Sequence, residues 1–262
     1  MKKTLILGTL LAVSLSAQDS LGQYANFVMQ SPAQNVHTLE SSNKKIKIGV
    51  DYFYDNADAG DTHFVNIPVQ ALVTKNIYLE ATLPFKYIDT DAGSESGFDN
   101  MMVGAAYAMG ELFGDKSHNV FGLRYNIDTG DETVSYGDSM DMYWDSRNDV
   151  NNFTVRSGIL FNFDFGDEIV KEDMSSLLSL NVGHKCLLTN ALQTNAIVSW
   201  YTAYGDTDAT DYNIVDLTIK WDTLKLKDTP ISFGAKIPLY ATDIDGRDLK
   251  TFTFFVSAAG LF

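Results

Sequence analysis

The chain has 262 residues, 45% of them hydrophobic and 20% charged, which excludes a disordered chain, and 19 Gly with 5 Pro exclude collagen-like or low-complexity sequence. Its formal charge is −15, from 34 acidic and 19 basic residues, which argues against a nucleic-acid partner, because phosphate binding needs clustered Lys and Arg. One cysteine, Cys186, excludes an internal disulfide framework and a Cys-rich metal centre.

Residues 1–17 read as an export signal. Lys2 and Lys3 form a short positive segment, Leu5 to Leu15 is mostly apolar, and Ser16-Ala17 supplies small residues for cleavage after Ala17. The apolar run is too short for a membrane-spanning helix, which takes about 20 residues. Residues 18–43 are polar and lack periodicity, and are expected as a periplasmic N-terminal segment or a partial plug. No later segment approaches 18 consecutive apolar residues. The exported chain is therefore either soluble or crosses a membrane as a β-barrel.

From residue 44 to residue 262 the chain alternates. In residues 77–87, Ile77, Leu79, Ala81, Leu83, Phe85 and Tyr87 share one parity, and Tyr78, Glu80, Thr82, Pro84 and Lys86 share the other. A period of two means a strand with one apolar and one polar face. The pattern recurs at 46–54, 121–128, 153–165 and 231–239, in runs of 8 to 13 residues. Soluble strands have a mode near about 5–6 residues, whereas membrane strands need about 9–11. Aromatic residues near run ends, such as Tyr52, Tyr87, Trp200 and Trp221, suit interfacial girdles. The chain closes on Phe262, like the assembly signal of bacterial outer-membrane barrels. These features predict an all-β fold: a transmembrane, antiparallel, up-and-down β-barrel of about 12 strands in a bacterial outer membrane. A soluble exported β-protein is the alternative.

Eleven runs are evident, the first at 45–54 and the last at 249–262. Short turns at Thr74-Lys75-Asn76 and Leu188-Thr189-Asn190 are expected on the periplasmic side. Acidic loops at 55–61, 89–97, 205–212 and 241–248 are expected outside. Both chain ends belong in the periplasm, so the strand number is even and one more strand lies between 129 and 150. Thr133 to Trp144 is the candidate, with Asp145 to Asn148 as its turn; a strand near Tyr24 to Met29 is the alternative. Pro68, Pro84 and Pro238 fall within runs and predict bulges.

The polar parity should line the lumen: Asp51, Glu80, Lys86, Arg124, Arg156, Asp164 and Lys236, with Lys220 and Lys250. Both signs are present, so these residues either pair and fill the barrel or surround water. Catalytic chemistry is absent from the pattern. His37, His63, His118 and His184 have no metal-ligand spacing, and neither HExxH nor Gly-x-Ser-x-Gly occurs. Asp61-Thr62-His63 sits at a loop edge without further members of a triad, and Cys186 abuts a turn. No enzyme and no cofactor is expected. The acidic loops are expected to be solvated, with divalent-ion bridging to lipopolysaccharide as the alternative.

The strand–turn–strand at 63–88, Gly97-Phe98-Asp99-Asn100 leading into a strand with Gly104 and Tyr107, the strand from Arg124 that ends in Asp128-Thr129-Gly130-Asp131, and Phe262 together resemble a family of outer-membrane β-barrels associated with transport in phenol degradation. The resemblance spans roughly residues 45–262. That family often has proline before Thr-Gly-Asp, where this chain has Asp128. The resemblance implies a channel or transporter for small solutes, apolar ones among them, and supplies no catalytic residues. A structural or surface-interaction barrel without transport is the alternative. Expected partners are outer-membrane lipid and lipopolysaccharide, the barrel-assembly machinery and small solutes.

Overall fold

The computed structural model describes residues 31–57, 60–90, 93–109, 117–129, 138–150, 153–164, 175–189, 192–204, 212–223, 226, 228–242 and 252–262. The proposed signal sequence, the alternative strand near Tyr24 and the acidic segment at 205–211 lie outside these residues. The elements in chain order are α1 (Pro32–Ser42), β1 (Ile46–Ala57), β2 (Gly60–Leu72), β3 (Ile77–Thr90), β4 (Gly93–Phe98), β5 (Met101–Met109), β6 (Ser117–Ile127) and β7 (Ser139–Val150), followed by β8 (Phe153–Asp164), β9 (Ser175–Thr189), β10 (Leu192–Tyr204), β11 (Tyr212–Thr223), β12 (Ile231–Ala241) and β13 (Phe252–Leu261).

Each strand is antiparallel to its neighbours, and β1 pairs with both β2 and β13 while β2 also pairs with β3. The sheet therefore closes on itself. β4 and β5 are two halves of one strand. Residues Phe85–Thr90 of β3 pair with β4, and Ile77–Thr82 pair with β5, with the register moving by one residue at Asp99–Asn100. Counted so, the barrel is an up-and-down ring of twelve strands. Closure leaves no edge, so the strands can sit in lipid without unsatisfied backbone groups.

The barrel is inside-out relative to a soluble protein. In β3, Leu79 is 41% exposed while its neighbour Glu80 is 5% exposed. Ile48, Val50, Phe121, Leu123, Phe254 and Val256 are likewise exposed, whereas Asp51, Asn66, Gln70, Arg124, Asn126 and Thr253 are buried. An apolar belt of this extent is costly in water and free of cost in hydrocarbon. Among the described residues no helix is long and apolar enough to cross a membrane.

Several sequence expectations are corrected in detail. The twelfth strand is Ser139–Val150, displaced from Thr133–Trp144. Asp145–Asn148 is not a turn: these residues pair with Gly158 to Val155 of β8. The acidic segments 55–61 and 89–97 are mostly strand, since Asn56 pairs with Asp61 and Asp89 with Ser94. Of the three prolines, Pro84 lies opposite the bulge at Asp99–Asn100 and accepts a hydrogen bond from the Asp99 amide at 3.1 Å. Pro238 lies beside a register shift between Val215 and Asp216. Pro68 sits in a β2–β3 ladder of unbroken register.

Helix α1 belongs to the stretch read as aperiodic. Ser31 caps it, its hydroxyl accepting from the Gln34 amide at 3.1 Å, and Pro32 occupies the first turn, where its missing N–H costs nothing. Asn43 ends it in the left-handed conformation (φ 55°), donating to the Glu40 carbonyl. Ala33, Val36 and Leu39, three residues apart, are buried in one apolar cluster with Leu72, Tyr78, Ala106, Ala108, Val120 and Tyr143 of the wall. The helix thus lies against the inner face of β2 and β5–β7 as a fixed element of the lumen.

Candidate functional site

Among the described residues the lumen has a filled half and an open half. The filled half centres on Glu80. Arg124 donates to both its oxygens, Nε at 2.7 Å and an Nη at 3.1 Å, and the Tyr143 hydroxyl donates at 2.8 Å. The guanidinium also lies over the Tyr143 ring, 4.6 Å from its centroid. Fork-to-carboxylate geometry with a stacked aromatic suits arginine and would not be reproduced by lysine. Glycines make room for this cluster. A Cβ on Gly122 would lie 2.6 Å from both Ala106 Cβ and the Tyr143 ring. Gly122→Ala should therefore lower stability by about 1–3 kcal/mol. The urea midpoint of the refolded barrel checks this, and an unchanged midpoint would mean that Tyr143 has another position available.

Polar contacts fix α1 beside this cluster. The Ser31 hydroxyl and the Ala33 amide donate to Asp145, the latter at 2.9 Å, so a carboxylate from the wall sits at the helix N-terminus. Arg147 donates to Gln34 and is held by Asp149. Lys47 donates to Asn35 at 2.9 Å. His37 and His118 share a hydrogen bond of 3.0 Å, and His118 meets Glu40 at 3.2 Å.

The open half is a cavity of about 390 Å³ between the polar face of α1 and the wall formed by β1, β7, β8 and β10–β13. Gln34, His37, Thr38 and Ser41 face it from the helix; Asn195, Ser199, Thr218 and Ser257 face it from the wall. Its charged lining consists of Lys47, Arg147, Arg156 and Lys220 against Asp51 and Asp222. Asp222 is tied into the wall by Asn195, Ser232 and Lys220.

The residues expected in the lumen separate between these halves. Glu80 and Arg124 form the buried pair of the filled half. Asp51, Arg156 and Lys220 line the cavity. Lys86 is buried, its ammonium 5.5 Å from the Phe64 ring centroid and attracted by Asp99. Lys236 lies 3.8 Å from Asp216. The side chain of Asp164 and the whole of Lys250 lie outside the described residues. Phe262 closes the barrel: its carbonyl accepts from the amides of Lys45 at 2.8 Å and Ile46 at 3.0 Å, and its ring is 65% exposed. His63 is outside the lumen, among Tyr52, Tyr54 and Tyr87, and hydrogen-bonds the Tyr52 hydroxyl at 2.8 Å. Among the described residues no group of three His, Cys, Asp or Glu could hold a metal.

Sequence reasoning missed Lys47, Arg147 and the inward aromatics Phe53, Phe64 and Phe255, which form a second buried cluster. The signal for Phe53 is its place on the polar parity of its strand with Lys47, Gly49 and Asp51, a departure from pattern that marks an interior apolar site.

No model of a protein family matches the chain, and no curated protein matches it. Its fold is similar to an outer-membrane channel from Pseudomonas putida F1, with a TM-score of 0.59 and 11% identity, covering 84% of this chain and 96% of that one. It is also similar to the translocator domain of the autotransporter NalP from Neisseria meningitidis, with a TM-score of 0.56 and 11% identity, covering 93% and 98%. The NanC porin gives 0.55 and 9%, covering 82% and 99%. At such identities the likeness is one of fold: this chain has the architecture of outer-membrane β-barrels.

Proposed function

We propose that this barrel is a channel for small solutes in the bacterial outer membrane, reached through the export signal at residues 1–17 and inserted by the barrel-assembly machinery. The observation that carries the reading is the polar cavity between α1 and the wall formed by β1, β7, β8 and β10–β13. Barrels of about 8 strands are filled by side chains and those of 16–18 strands leave an aqueous channel. Twelve strands with one helix inside leave a narrow crescent. Lipid and lipopolysaccharide surround the apolar belt. Passage of small solutes, including ones with apolar parts, agrees with the resemblance to the phenol-degradation family and with Phe53 and Phe255 in the cavity lining. Nothing in the site calls for catalysis.

A barrel without transport is favoured by one observation, the filled half in which Glu80, Arg124, Tyr143 and α1 exclude water. Conductance across a planar bilayer separates the two readings, accompanied by solute uptake in whole cells. Wild type giving neither conductance nor uptake above a barrel-less control would overturn the channel reading. The two arginines then behave differently. Arg156→Glu, at the cavity, should shift ion preference toward cations. Arg124→Glu should act on stability, because Arg124 is locked onto Glu80. Unchanged selectivity in Arg156→Glu would place the route elsewhere.

A further inference from the structure

The strand register places a row of inward residues across adjacent strands. Lys220 of β11 pairs with Gly234 of β12, Gly234 with Phe255 of β13, and Phe255 with Phe53 of β1. These side chains lie side by side in one row across the strands, because paired strands are about 4.8 Å apart. Gly234 matters to the row. A Cβ there would come within 2.7 Å of the Phe255 ring, so the ring lies over the glycine, on the side toward Lys220. Phe255 and Phe53, 4% and 8% exposed, thus join the cavity lining beside the strand of Lys220, whose ammonium is held by Asp222 at 3.0 Å.

Charge favours an anion at this place. Four cations and two carboxylates line the cavity, with Arg147 held by Asp149 and Lys220 held by Asp222. Lys47 is attracted by Asp51 and, less strongly, repelled by Lys220. An anion between the two lysines would replace that repulsion by two attractions. Asp222 holds Lys220 at 3.0 Å and is itself anchored by Asn195 and Ser232, which orients the ammonium. Aromatic faces beside fixed cations suit a solute that has an apolar body and a carboxylate at one end.

We propose that Lys220, Phe255 and Phe53, with Lys47 further along the strand of Phe53, form a binding site for small organic carboxylates that have an apolar body, and that this site sets the solute preference of the channel. The proposal rests on the channel reading for its consequence, though the binding itself can be measured without transport. An inorganic anion or a short carboxylate meets only the lysines; a neutral alcohol meets only the rings.

The test uses the full chain refolded in detergent, with calorimetric titration of hexanoate, acetate and hexanol against a blank of empty micelles. Hexanoate should bind roughly tenfold more tightly than either acetate or hexanol. Lys220→Gln should weaken hexanoate roughly tenfold and leave hexanol unchanged, and Phe255→Leu should weaken hexanoate and hexanol together. Lys220 is part-exposed, so its replacement leaves the fold intact, and heat-modifiable migration on a gel verifies this for each variant. Equal affinity for hexanoate and acetate, or unchanged affinity in Lys220→Gln, would overturn the site. Hexanoate binding in a barrel that does not conduct would sink the channel reading and keep the site. Conductance without preferential hexanoate binding would do the reverse.

Discussion

Glu80→Ala should lower the stability of the barrel by about 3–5 kcal/mol, the cost of leaving a buried guanidinium without its carboxylate. Arg124 keeps its place over the Tyr143 ring but loses two donors' worth of acceptor, and Tyr143 loses its partner as well. Urea unfolding in lipid vesicles, followed by tryptophan fluorescence, reads the change as a shift in midpoint at constant slope. Glu80→Gln should cost less, since an amide oxygen still accepts from Tyr143. Replacing both partners, Glu80→Leu with Arg124→Leu, should recover part of the loss, because a buried pair removed together leaves no orphaned charge. Alanine variants as stable as wild type would mean that water reaches this half of the lumen and solvates the arginine.

Deleting Phe262 should reduce assembly into the outer membrane to well below the wild-type level while export proceeds. The residue ends the closing strand, and its carbonyl completes the seam with Lys45 and Ile46. Its ring lies over Gly260, where a Cβ would come within 2.9 Å of it, and faces outward. Loss therefore removes both the final seam bonds and an exposed aromatic side chain. Fractionation with antibody detection measures it. Equal membrane levels of the truncated chain would separate closure from Phe262.

The barrel was legible wherever the two faces differ in polarity along a whole run. Ile77 to Tyr87 reads unambiguously because hydrocarbon on one side and polar lumen on the other impose opposite demands on alternate residues. Strand β7 was misplaced for a physical reason. Met140, Met142 and Trp144 carry the apolar parity, but Asp145-Ser146-Arg147-Asn148 resembles a turn in composition. In the fold Asp145 and Arg147 are satisfied by α1 and Asp149, and Asn148 donates to Ser146, so the strand continues. Helix α1 was obscured because only Ala33, Val36 and Leu39 form its apolar stripe, a narrow signal among polar neighbours. Its boundaries were readable in Ser31-Pro32 and Asn43. The site was less legible than the fold. Asp51, Arg156 and Lys220 followed from parity, but the adjacency of Lys220, Gly234, Phe255 and Phe53 depends on register between strands. Register comes from pairing across the barrel, not from any single run.

The most direct test of the inside-out barrel with a one-sided aqueous route is cysteine accessibility in a Cys186→Ser background. Ser199→Cys lies in the cavity lining and Leu79→Cys on the lipid belt. In vesicles, a small charged thiol reagent should modify Ser199→Cys rapidly and reduce conductance, while Leu79→Cys stays protected until detergent or denaturant is added. Modification of Leu79→Cys from water, with Ser199→Cys protected, would contradict both the orientation of the strand faces and the placement of the route.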